Sequence, residues 1–344
     1  MIRPFDIRDV SLVQRLSTQA RALAQEFVAT EGVSPLREAM RAYVSGGRDS
    51  AVVLVERSPE HNIEAFGLMH LLPTTNNHAD GEPHVHPRGA ALILMSPRPT
   101  TPALVEAWTY LAHEFASEAA QRGAHHLVAE VPEGGQEWEA LHNASFVPLI
   151  QQDLFKLTRP PAQDELETVH GLREQHKEDE PQVRALHLRA APKMSYPAEF
   201  SFDALHAAHR PEHSFVLVRA NEVLAHLAVR QGKRAYGLRV HFRPEVEDEA
   251  LAALRYVLAR TLSKTNLPLY VTIRQYQSWM LPALDALGFT HVASNVLMVR
   301  HTAKRLQHLV WSHAVESVAV RQTHSASLES FPVMSPNNFR SHDQ

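Results

Sequence analysis

The chain has 344 residues, enough to bury two cores of ordinary domain size. Its hydrophobic content of 44% and charged content of 21% are those of a globular protein, and they exclude a fibre or bulk disorder. With 34 basic against 38 acidic residues and no cysteine, it has no overall basic field for nucleic acid or anionic lipid, no disulfide and no thiolate nucleophile.

The opening MIRPFDIRDV lacks the apolar core of a signal peptide, and no run approaches the roughly 20 apolar residues that span a bilayer, so a cytoplasmic protein without membrane contact is expected. Residues 9–44 read as helical. Strands follow at 51–56 (AVVLVE), 65–72 (AFGLMHLL) and from residue 90, the last running into a long amphipathic helix that ends near residue 122. A strand at 125–131 (HHLVAEV), a short helix at 138–143 and two closing strands, FVPLI and DLFKL, complete the first half. LTRPPAQDELE, residues 157–167, interrupts the pattern with a proline pair and solvated charges and reads as a linker.

The order then returns. A helix at 174–191 precedes strands SFVLVRA, VLAHLAVRQ and YGLRVHF, a helix at 246–263, a strand LYVTI, a helix at 277–287 and two closing strands, FTHVA and VLMVRH. LHNASF, ending at Phe146, matches LDALGF, ending at Phe289, an offset of 143 residues that denotes a duplicated domain. Antiparallel strands followed by a strand–helix–strand crossover predict α/β domains with a mixed sheet. The division is residues 1–157, a linker 158–167, residues 168–303, and a tail from 304. Leu306, Leu309, Val310 and His313 of that tail share one face of a further helix before a polar, disordered end.

The opening IRPFDIRDVSLVQRL, the hairpin–strand–long-helix order, and LDALGF followed by strands together resemble the GNAT superfamily of acyl-CoA-dependent N-acyltransferases, in a tandem arrangement over residues 1–301. The resemblance implies transfer of an acyl group from acetyl-CoA or another acyl-CoA to an amine, on a small molecule, a protein N-terminus or a lysine. It further implies that the loop between the fourth strand and its helix binds the CoA pyrophosphate through backbone N–H groups.

In the first half that loop reads SPRPTTPAL. Prolines 97, 99 and 102 remove N–H donors, which leaves Arg98, Thr100 and Thr101 to meet phosphate, while backbone groups of Leu94, Met95 and Ser96 would pair with the pantetheine arm. Thr101 before Pro102 reads equally as a capped helix start. In the second half HFRPEVEDEAL places Glu245, Glu247 and Asp248 at the helix start, which suits the helix dipole and repels phosphate. The family's frequent tyrosine acid, five residues before the GF phenylalanine, is replaced by Leu141 and Leu284. Glu130 and His241 are the candidate general bases, each open to a plain structural role on its strand.

Other constellations carry less. His78, Asp80, His84 and His86 share a loop in which His84 and His86 have metal-ligand spacing, but a loop without a frame does not preorganise ligands and no metal is expected. Ser195 has no GxSxG elbow, and Tyr196 and Phe200 read as packing. Without GxGxxG or GxxxxGK[ST], nucleotide enzymes are disfavoured. Loss of the loop glycines and of both tyrosines leaves a second expectation, a non-catalytic GNAT-fold module for ligand sensing or protein interaction.

Overall fold

Runs such as GAALILMS and HLVAEV are apolar at nearly every position because helices cover both faces of the sheet they form. Strands β5 (Gly89–Ser96) and β6 (His126–Val131) are buried along their whole length. The computed structural model describes residues 1–46, 50–58, 63–72, 89–159, 169–193, 195, 198–199, 205, 212–262 and 266–302. The histidine-bearing loop before Gly89, Tyr196, Phe200, most of the linker and the expected C-terminal helix lie outside them.

The first half comprises β1 (Ile2–Pro4), helix α1 (Val10–Leu16), β2 (Arg21–Ala22), α2 (Gln25–Glu31), α3 (Pro35–Val44), β3 (Ala51–Ser58) and β4 (Ile63–Leu71), then β5, α4 (Pro102–Gln121), β6, α5 (Gln136–Asn143) and β7 (Val147–Leu157). The second comprises β8 (Leu172–Glu174), α6 (Glu180–Ala190), β9 (Glu212–Arg219), β10 (Glu222–Gln231), β11 (Tyr236–Phe242), α7 (Ala250–Leu262), β12 (Leu269–Arg274), α8 (Leu281–Ala286) and β13 (Thr290–His301). The sheet is mixed as expected: antiparallel, except that β5 runs parallel to β6 and β11 to β12, each pair joined by its crossover helix. Thr101 caps α4 and Pro102 takes its first position. From there Val105, Trp108, Leu111, Ala112, Phe115 and Ala119 recur at helical spacing and are buried against the sheet. Gly67 on β4 admits the Phe115 ring, which a Cβ there would meet at 2.5 Å. No helix among the described residues is long and apolar enough to cross a membrane.

The structure corrects three expectations. The stretch 9–44 is not one helical run: Arg21–Ala22 is drawn into strand pairing with β5, and tertiary hydrogen bonds override the local helical preference. Helices expected from residues 246 and 277 begin at Ala250 and Leu281, each after a 3-10 turn at Pro244–Glu249 or Gln275–Met280. Each pair of closing strands is a single long strand with an irregular register, β7 or β13.

Those two strands exchange partners between the halves. The sheet order is β1-β3-β4-β5-β6-β13-β7-β12-β11-β10-β9-β8, so β13 lies against β6 and β7 against β12, while β7 and β13 pair with each other in the middle. Met1–Lys304 is accordingly one compact unit. Helix α2 packs on β11 and β12, and Ala198 and Leu205 join the core that holds Phe66, Ile93 and Leu297.

A second internal match emerges. Arg3 makes two bonds to Asp9, of 2.6 and 2.8 Å, and Arg173 makes two of the same lengths to Asp179. In both, the aspartate also accepts a backbone N–H three residues earlier, from Asp6 or His176. Burial tends to raise the Asp9 carboxyl, but Arg3 and the Asp6 N–H outweigh it and leave it below the ordinary range. Asp179 is held down to about 2, chiefly by Arg173.

Candidate functional site

In the first half the parallel pairing of β5 with β6 ends at Ala91 opposite Val128, and beyond it the strands splay. The gap is closed by the protein's own backbone. Arg21 and Ala22 pair with Met95 and Leu94, the Leu23 N–H donates to the Ile93 carbonyl at 2.8 Å, and the Leu23 carbonyl accepts the Glu130 N–H at 2.8 Å. The opposite edge of β5 is taken by β4, with Phe66, Gly67 and Leu68 facing Ser96, Met95 and Leu94. Leu94 and Met95, expected to pair with a pantetheine arm, thus meet the chain's own backbone on both edges, whereas Ser96 pairs with Phe66 alone and its hydroxyl donates to the Leu16 carbonyl at 2.6 Å.

At the loop that follows, Arg98, Thr100 and Thr101 remain exposed. Thr101 uses its hydroxyl to accept the Leu104 N–H at 3.3 Å, and Trp108 Nε1 ties the loop down through the Pro97 carbonyl at 2.7 Å. Two guanidinium groups, Arg98 at 3.5 Å and Arg21 at 3.6 Å, flank the one carboxylate of Glu137. This local excess of positive charge suits an anion.

Glu130, two residues past the end of the β5–β6 pairing, is 2% exposed. One carboxylate oxygen accepts the Gln25 N–H at 2.7 Å and the other accepts the Gln152 amide at 2.5 Å. Burial pushes its pKa up to about 7, with Glu26 adding to the rise, while the two hydrogen bonds and Arg274 oppose it. It borders a cavity of about 30 Å³ between the halves, lined also by Glu26, Arg239, Thr272, Arg274 and Gln277. That is room for about two water molecules. Thr272 donates to Glu26 across the junction, and Arg274 lies 3.1 Å from Glu199, which also accepts the Tyr276 hydroxyl at 2.9 Å. The sequence marks Glu130 as an acid in an apolar strand. Gln25, Glu26, Gln152 and Arg274 carry no such mark, although Gln152 and Asn295, which face each other on β7 and β13, stand at the 143-residue offset.

In the second half the β11–β12 pairing ends at Leu238 opposite Val271. There a side chain occupies the gap: the Gln277 amide donates to the Val240 carbonyl at 2.8 Å and its oxygen accepts the Arg274 N–H at 3.2 Å. Arg243 is held by Glu222 at 2.7 Å and Glu245 at 2.8 Å. Leu141 and Leu284 are buried in the two cores, 0% and 1% exposed. Ser195 donates its hydroxyl to the Pro192 carbonyl at 3.1 Å, a local turn contact.

His241 is set apart from the Glu130 cavity. It faces His226 across β10–β11, its ring centre lies 3.9 Å from that of His187 of α6 with the planes tilted by 35°, and His187 Nε2 lies 2.9 Å from His226 Nδ1. Neither ring nitrogen of His241 has a hydrogen-bond partner, and burial first, then His187, holds its pKa well below the ordinary imidazole value. A base of that kind is neutral but weak, and among the described residues no carboxylate is hydrogen-bonded to it. Among the described residues no group of three or more His, Cys, Asp or Glu is arranged to hold a metal ion.

No family model matches this chain, and no curated protein matches it. Solved structures do. A tandem GNAT protein from the clavulanic acid biosynthesis pathway is 17% identical, with 88% of this chain and 98% of that one covered at a TM-score of 0.50. A GCN5-related N-acetyltransferase from Sphaerobacter thermophilus is 14% identical, with 88% and 95% covered at a TM-score of 0.52. At these identities the likeness is one of fold, and the chain has the tandem GNAT fold.

Proposed function

We propose that this protein is a cytoplasmic N-acyltransferase that moves an acyl group from acyl-CoA, acetyl-CoA in the simplest case, to an amine, with its working site at the junction of the halves. Glu130 carries the reading: a buried carboxyl whose pKa is about 7 takes a proton from an ammonium group near neutral pH. Acyl-CoA supplies the activated acyl group. Arg98, Thr100 and Thr101, exposed before α4, would hold its phosphates, and the pair of cations Arg98 and Arg21 beside Glu137 supports that role. The gap between β5 and β6 fits the arm only after Arg21–Leu23 withdraws from Leu94, Met95 and Ile93. Glu130 holds the acceptor's proton. Neither Leu141 nor Leu284 can protonate a leaving thiolate, so the second proton, which the attacking nitrogen loses as the thioester C–S bond breaks, reaches the thiolate through water.

Calorimetry with acetyl-CoA and isotope-traced transfer to a panel of amines and lysine peptides test this reading. Binding with turnover that Glu130→Gln abolishes is the expected result; absence of both binding and turnover overturns it.

One observation favours a second reading, a non-catalytic module: backbone already fills the first gap and Gln277 fills the other. Under that reading acetyl-CoA produces neither heat nor thermal stabilisation, and a Leu23→Gly variant, which loosens the inserted segment, does not restore either.

A further inference from the structure

The two exchanged strands turn equivalent residues toward one carboxyl. Gln152 on β7 and Asn295 on β13, the pair at the 143-residue offset, face each other in register and are 4% and 5% exposed. Strand β13 also pairs with β6, where Leu297, two residues past Asn295, stands opposite Glu130. Strand alternation therefore sets Glu130, Asn295 and Gln152 on the same face of three neighbouring strands.

Their bonds run to the same place. Gln152 Nε2 donates to one oxygen of Glu130 at 2.5 Å, the Gln25 N–H donates to the other at 2.7 Å, and the Gln25 side-chain amide donates to Asn295 Oδ1 at 3.1 Å. Gln25 is thereby held at both ends, its main chain on the carboxyl and its side chain on β13. One N–H on each oxygen fixes the plane of the carboxyl and leaves the second lone pair of each for a proton.

The charged groups around the cavity act differently. Glu26 of α2 repels the Glu130 carboxylate and Arg274 of β12 opposes that repulsion, although Arg274 lies 3.1 Å from Glu199; Arg230 of β10 and Arg239 of β11 complete the charged lining. The Gln152 amide and the Gln25 N–H are uncharged. They hold the carboxylate without removing its affinity for a proton near neutral pH, as a bonded arginine in the same place would do.

We infer that Gln152 and Asn295 are positioning residues for the base, Gln152 directly and Asn295 through Gln25, so that one amide from each half holds a single carboxyl. Neither takes part in proton transfer. For the transfer step the inference rests on the acyltransferase reading, whereas the clamp on Glu130 does not.

Isotope-edited NMR of the full chain, labelled at the glutamate carboxyl carbons, reads Glu130 directly, its signal assigned by loss in Glu130→Gln. The midpoint is expected at about 7. Gln152→Met, which keeps the side-chain length and loses the donor, is expected to raise it by about one pH unit, and Asn295→Leu by less, because its effect passes through Gln25. In the unaltered protein the Gln152 side-chain amide signal should shift with the same midpoint, which keeps the test decisive if a variant does not fold. An unmoved midpoint in either variant with a native melting temperature, or a Gln152 amide indifferent to the Glu130 titration, overturns the inference. Transfer separates the two claims. An acid limb of kcat/KM that moves up in Gln152→Met, with KM for acetyl-CoA unchanged, supports both. Amine acetylation whose acid limb stays in place in that variant overturns the clamp and spares the acyltransferase. Shifted midpoints in a protein that never acetylates an amine overturn the acyltransferase and spare the clamp.

Discussion

The two halves agree where packing is demanding and diverge where chemistry is possible. Arg3–Asp9 and Arg173–Asp179 repeat the same bond lengths, and Leu141 and Leu284 fill the same place in their cores. At the splayed strands the correspondence breaks. Three residues past the last parallel pair stand Leu94 in the first half and His241 in the second; two residues past it on the neighbouring strand stand Glu130 and Ile273. Leu94 faces Leu68 where His241 faces His226. Each half thus keeps one titratable group at its gap, and neither keeps both. The frame repeats while the residues at its two gaps differ, so equivalent substitutions in the two halves should have unequal effects.

The largest expected effect tests whether the halves are separable at all. A chain ending at residue 289 lacks β13, the strand that pairs with both β6 and β7. It should show no cooperative thermal transition by circular dichroism, and residues 1–157 alone should behave the same way. A sharp melt from either fragment would break the comparison at its root.

The titratable groups come next, and they differ in sign. Glu130 is raised, so its contribution to stability is full below the ordinary carboxyl pKa and is lost as pH rises through about 7. That loss is on the order of 3 kcal/mol at most, and Glu130→Gln should flatten this arm of the stability–pH curve measured by urea denaturation. His241 is lowered, so its contribution is full above the ordinary imidazole pKa and is lost as pH falls below it. His241→Leu, the residue of the first half, should therefore flatten the acid arm. Two variants that flatten the same arm would contradict the assignment.

Asp9→Asn should cost about 2 to 3 kcal/mol and Asp179→Asn less, about 1 to 2, because Asp9 is fully buried and has Arg57 at 3.3 Å as a further partner, whereas the Asp179 side chain is 10% exposed. Urea midpoints in the reverse order would show that the second copy carries the frame. Asp179, depressed to about 2, contributes stability that is present above the ordinary aspartate pKa and disappears as pH falls through about 2.

The smallest difference concerns the two arginines at the helix starts. Arg98→Glu should weaken acetyl-CoA about tenfold, and Arg243→Glu should leave it unchanged, since Glu222 and Glu245 already occupy that guanidinium. Equal losses in calorimetry would restore symmetry between the junctions.

Much of the frame was legible in the chain. Apolar runs of strand length, the capped helix at Thr101–Pro102 and the LHNASF/LDALGF pair are local signals, and local signals survive into the fold. Strand exchange is not local: VLMVRH alternates in the same way whichever half it joins, and only the geometry of packing selects β6 as its partner. Arg21 and Ala22 were unreadable as a strand for the same reason, since their partners Met95 and Leu94 lie more than seventy residues on. Glu130 stood out as an acid in an apolar strand. The amides that hold it did not, because a glutamine on a strand has no signature until its neighbour is known.

The exchanged strands also impose an order on synthesis. His126 pairs with His301 and Val131 with Val296, so β6 leaves the ribosome and waits while the whole second half is translated before its edge is covered. Closure across so long a stretch of chain makes refolding slow, and both halves should appear in one rate-limiting phase when stopped-flow fluorescence follows Trp108 of the first half and Trp279 of the second. During that wait the open edge of an apolar strand is what a nascent-chain chaperone would have to guard.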